Sequence, residues 1–210
     1  MKISKWHIEY TATLLVVFAI ALVLMPTSLN PTKQANLTAK WKECYKNVIY
    51  IHDVILKHEK EELLTSFKRA KNKSERESLV LELVKPYFRL SEFPHVPSKY
   101  HAKYLNNKNI KREDLYYIKD YYFGANNIIV GIKDIPDKSD DTTFLMTFDV
   151  NGLLPPNTWG KDVFGVKVRS SSINALGEDL DTQALTDDCS LNGSGTGCSY
   201  YYLIGGSFDD

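Results

Sequence analysis

The chain has no net charge: its 210 residues hold 26 Lys and Arg against 26 Asp and Glu. No overall field therefore recommends nucleic acid or an anionic surface as the main partner. Histidine is sparse, and the five present (His7, His52, His58, His95 and His101) lack metal-ligand spacing with one another. Ser170-Ser171-Ser172 lacks a nucleophile-elbow setting, and Gly193-x-Gly195-x-Gly197 lies between two cysteines with no expected helix to cradle phosphate. These absences predict a protein that is not an enzyme. Cysteine is limited to Cys44, Cys189 and Cys198; zinc at the last two would need two more ligands, and no histidine lies near. There is no internal repeat and no low-complexity tract.

What the chain does have is a lone acid at the mouth of an apolar run. Tyr10 to Asn30 carries no charge, about the 20 residues a bilayer core requires, and Glu9 sits directly before it. An acid at the centre of such a helix costs about 2.5–3.5 kcal/mol. Pro26 is expected to kink the run. Lys2 and Lys5 favour a cytoplasmic N-terminus, which places the body of the chain outside the cytoplasm. Residues 1–30 thus read as a membrane helix.

Residues 31–57 read as an amphipathic continuation: Leu37, Trp41, Cys44 or Tyr45, Val48, Ile51 or His52 and Ile55 recur at threes and fours. Residues 58–115 form a helical and irregular segment. It holds a charged helix over 58–70 and another over 74–90, with Leu79, Leu81, Leu83 and Val84 as its apolar positions. Strands are predicted at 121–123 and 128–132 around a Gly124–Asn127 turn. Others are predicted at 142–150, ending at Asn151-Gly152, at 163–168 and at 199–204. A polar turn spans 137–141. Helices first and antiparallel strands afterwards make an α+β chain, with its β domain over 116–210.

Three segments resemble bacterial type IV pilins and type II secretion pseudopilins. The first is Glu9 with its spacing to Met25-Pro26-Thr27-Ser28-Leu29. The second is Phe148-Asp149-Val150-Asn151-Gly152, continuing through Pro156-Asn157-Thr158-Trp159-Gly160-Lys161-Asp162-Val163-Phe164-Gly165. The third is the tail from Cys189 to Phe208. The resemblance implies a prepilin-like subunit held in the inner membrane by a long N-terminal α-helix, with an antiparallel sheet domain at the C-terminus. Its partners would be copies of itself or other pilins in a helical filament. Glu9 would pair with a neighbouring subunit's N-terminal amine, since opposite charges in hydrocarbon cost less together than alone. Alternatively Glu9 caps an anchor helix, favoured by the helix dipole. Processing would fall between Ser4 and Lys5, where the family has glycine and phenylalanine. A membrane-anchored extracytoplasmic binding domain that does not polymerise is the other function class.

Asp149, Asn151 and Asp162 offer oxygen ligands which, with loop carbonyls, could supply calcium's six to eight, and the resemblance points the same way. The order is not that of an EF-hand. An Asn-Gly turn with Asp149 bonded to the backbone is the simpler reading. In an extracytoplasmic setting Cys189 and Cys198, flanking an eight-residue flexible loop, are expected to form a disulfide. Cys44 is expected to be a small buried hydrophobe.

Overall fold

The computed structural model describes residues 33–58, 70–91, 100–135, 143–169 and 172–207. Ser4, Lys5, Glu9, the apolar run to Pro26, most of the helix expected over 58–70 and the turn at 137–141 lie outside these residues. The chain divides into two units, Met1–Asn36 and Leu37–Asp210. Of the first, residues 33–36 are described and helical. Among the described residues no helix is long and apolar enough to cross a membrane.

The second unit is α+β. Its five strands, β1 (Tyr121–Phe123), β2 (Ile129–Ile135), β3 (Thr143–Asp149), β4 (Val163–Val168) and β5 (Ile173–Ala175), form one sheet in sequence order, every pair antiparallel. Side chains alternate across a strand, so β3 sends Phe144, Met146 and Phe148 into one core and Leu145 into another. The first core takes Val130 and Ile132 from β2 and Phe164 and Val166 from β4. The second holds Ile118, Trp159, Val163 and Leu176.

Helix α1 (residues 37–58) packs into the first core with the face its periodicity implies: Leu37, Trp41, Cys44, Val48, Ile51 and Ile55 are all buried. Trp41 stacks on Phe164 with ring centroids 4.9 Å apart. Its indole N–H donates to the Ser199 carbonyl at 2.8 Å, so the ring is packed and its polar edge satisfied.

Helix α2 (Lys73–Phe88) starts where Asn72 accepts the Glu75 backbone N–H at 3.0 Å, an N-cap. It ends where Arg89 turns left-handed and the Leu90 N–H reaches the Lys85 carbonyl at 2.9 Å. The buried positions are Val80, Val84 and Phe88, one row at i, i+4 and i+8. Leu81 and Leu83 only flank the core, which corrects the apolar set expected from sequence. Arg76 donates from Nε and Nη2 to the buried Asp134 carboxylate at 2.9 and 2.6 Å, and Glu77 accepts the Asp134 backbone N–H. These bonds tie α2 to β2.

The strand expected at 199–204 is not formed. Cys198–Tyr201 is a single helical turn, α4, continued by turns. The Tyr201 and Tyr202 amides bond back to the Gly197 and Cys198 carbonyls. Ser199 spends its carbonyl on Trp41 and its hydroxyl oxygen on the Gly165 amide. Those partners hold the backbone coiled despite three successive tyrosines of high strand propensity. Helix α3 (Thr182–Asp188), capped by Asp181, and strand β5 were not anticipated.

Candidate functional site: a buried carboxylate pair and a cystine loop

Asp149 closes β3 and Asp162 precedes β4, so the antiparallel pairing of those strands brings both ends of the intervening loop together. The Val150 amide donates to the Asp162 carbonyl at 2.9 Å. Both side chains are buried, at 2% and 0% exposure. Buried carboxylates persist when hydrogen bonds replace water, and these are well supplied. Asp162 accepts the backbone amides of Thr158 at 2.6 Å and Asn157 at 2.9 Å, together with the side chain of Asn151. Asp149 accepts the Tyr100 hydroxyl at 2.7 Å and the Asn151 amide at 3.1 Å. The Asn157 side-chain amide, oriented by its hydrogen bonds, donates to Asp149 at 3.2 Å and to the Leu154 carbonyl at 3.0 Å. Asn157 itself is left-handed at φ 50°, which asparagine tolerates.

Burial, with the Asp162 charge adding, pushes the Asp149 carboxyl up to about 8. Burial likewise lifts Asp162 to about 6, opposed by the amides of Thr158 and Asn157. Tyr100 is driven well above the ordinary phenol value, by burial first and then by Asp149. Burial thus favours uptake of a proton by the pair, at Asp149 before Asp162, while Tyr100 keeps its own proton.

The structure thus brings Asp149, Asn151 and Asp162 together. For a cation, the favourable observation is Asn151 Oδ1, buried without a hydrogen-bond partner. Against it, each carboxylate already accepts several amide or hydroxyl protons, and among the described residues no group of three acidic, histidine or cysteine side chains could hold a metal ion. Calcium's six to eight oxygens would have to come largely from loop carbonyls. The donor set fits a structural latch, the Asx-bonded turn. Thermal melting with a chelator and with added calcium is expected to give one Tm; a rise with calcium that Asn151→Ala removes would overturn the latch reading in favour of a metal site.

Sequence reading missed Tyr100, Thr158 and the Asn157 amide as partners of the pair. Tyr100 lies 49 residues before Asp149 and carries no local signal. Asn157 and Thr158, four or five residues before an aspartate, were legible as a turn that could turn its amides toward that carboxylate.

Cys189 and Cys198 are joined, as expected, with Cα atoms 5.0 Å apart. The carboxylate of Asp188, the residue before the loop, accepts the Ser194 amide at 3.0 Å and the Gly197 amide at 2.7 Å. A short helix does follow Gly197, contrary to the expectation, but the Ser194, Gly195 and Gly197 amides are spent on Asp188, and those of Gly193 and Thr196 on Ser190 and Ser194, rather than free for phosphate. Replacing both cysteines with serine is expected to lower stability by about 2–3 kcal/mol. Urea unfolding of the two proteins measures this, and an unchanged midpoint would refute it. Cys44 is buried, and burial followed by the Glu43 charge pushes its thiol up to about 12, which keeps it protonated and inert. No family model, curated protein or solved structure matches the chain.

Proposed function

We propose that the chain is a structural subunit, a pilin or pseudopilin, of a bacterial type IV pilus-like or type II secretion filament. Before assembly it is held in the inner membrane by its N-terminal apolar run, and its role is structural rather than catalytic. The observation that carries this reading is Glu9, a lone acid at the start of an uncharged run that ends at Met25-Pro26. An unpaired carboxylate there is costly, and a neighbouring subunit's amine removes that cost. Two further features agree with the reading. An amphipathic helix, α1, covers one face of an antiparallel sheet, and a cystine closes the C-terminal loop.

The second reading is a membrane-anchored binding domain that does not polymerise. Ser4 and Lys5 favour it, because they depart from the glycine and phenylalanine of the prepilin cleavage site. Mass spectrometry of the mature N-terminus separates the two. A chain that begins at Lys5 is the expected result for a filament subunit, and an intact Met1 shifts the weight to the anchored domain or to an uncleaved subunit. A start beyond residue 28 sinks both. Glu9→Ala is expected to abolish co-assembly with unmodified copies, and undiminished assembly would defeat the pairing role.

A further inference from the structure

Helix α1, the end of α2 and the turn joining β1 to β2 enclose a cleft of about 510 Å³, within the size range of small-ligand sites. Its floor is apolar: Ile51, Phe88 and Val150 are at most 7% exposed. Its rim is polar and aromatic. Asn47, Tyr50, Tyr87 and Asn126 line it, and Tyr50 and Tyr87 stand 68% and 39% exposed. None of these four side chains has a hydrogen-bond partner among the described residues. Their two phenols and two amides can therefore both donate and accept toward a guest.

We propose that this cleft binds a neutral saccharide. Such a ring has a C–H face that packs on tyrosine and on an apolar floor, and a periphery of hydroxyls that donate and accept at once. A purely apolar guest would leave the phenols and amides of the rim unpaired, which is the penalty that sites built from polar groups impose on the wrong ligand. Charge selects neither an anion nor a cation, because Lys40 and Glu43 stand together on the wall with opposite signs. The cleft meets the Asp149–Asp162 latch through Val150, which lines its floor, and the assignment does not depend on whether the chain polymerises.

The test is saturation-transfer NMR on the full chain, held in micelles of a detergent without a sugar headgroup, with cellotriose, chitotriose and maltotriose as probes. The expected result is transfer to the ring C–H protons of at least one of them. Tyr50→Ala and Tyr87→Ala should each weaken that binding roughly tenfold, while Tyr50→Phe, which keeps the stacking face, retains most of it. Both tyrosines are surface residues, so circular dichroism should report an unchanged fold in each variant. Three results overturn the proposal: no transfer to any probe, transfer undiminished in the Tyr50→Ala/Tyr87→Ala double variant, or uptake of an apolar dye in the cleft that no saccharide displaces.

Discussion

Trp41→Ala is expected to lose about 3–5 kcal/mol of folding stability. The indole has no solvent exposure and forms the junction between α1, the sheet and the C-terminal turn. It stacks on Phe164 at 4.9 Å, tilts against Phe148 at 6.3 Å and reaches the Ser199 carbonyl through its N–H. Alanine would open a cavity against Phe164, Phe148 and Tyr45. It would also leave that carbonyl without its donor, a second cost of about 1–3 kcal/mol wherever water cannot enter. Trp41→Phe separates the two contributions, keeping a ring against Phe164 and removing only the N–H and part of the volume; an intermediate loss is expected. The control is Tyr50→Ala on the same helix, which should stay within about 0.5 kcal/mol because the ring is solvent-exposed. Urea unfolding at equilibrium measures all three. A Trp41→Ala loss below about 1 kcal/mol would mean that this face does not hold the helix to the sheet.

The same residue shows what was legible in the sequence. Trp41 belongs to a run whose apolar positions recur at threes and fours, a local pattern that directly determines which face of α1 is buried. The strands through 121–135 and 143–168 were legible for the same reason, since Phe144, Met146 and Phe148 alternate and Asn151-Gly152 ends the run. The C-terminus was not. Tyr200-Tyr201-Tyr202 has strand propensity, yet its conformation is decided by Trp41, 158 residues away from Ser199, by the Gly165 amide and by the cystine. In α2 the four candidate leucine and valine positions lay on more than one face, and the sheet selected the row Val80, Val84 and Phe88. At the carboxylate pair the acids themselves were visible in a turn-like segment. Their burial and their contact with Tyr100 depend on tertiary packing, and the charge state follows from that burial.

Lowering the pH from about 8 to 6 is expected to stabilise the folded chain, and Asp149→Asn should abolish most of that gain. The carboxyl of Asp149 titrates near 8 when folded but near 3.9 in an unfolded chain. Between those values the folded state binds the extra proton, so stability falls as pH rises and levels off above about 8. Asp162, at about 6 when folded, acts in the same sense over a lower window, from about 4 to 6. From pH 6 to 8 the slope therefore belongs chiefly to Asp149, and one proton corresponds to at most about 1.4 kcal/mol per pH unit. Asp149→Asn removes the titration and the repulsion toward Asp162, and its amide can still accept from the Asn151 backbone N–H. Comparing the variant with the unmodified chain cancels titrations elsewhere. Asp162→Asn should behave differently. Its two oxygens each accept a backbone amide, and an asparagine can satisfy only one, so a loss of about 1–3 kcal/mol is expected at every pH. Urea unfolding of the three proteins at pH 6, 7 and 8 decides between these behaviours. A flat or rising stability in the unmodified chain, or an equal slope in Asp149→Asn, would show that Asp149 is ionised in the fold and that the latch is a charged pair rather than a protonated one.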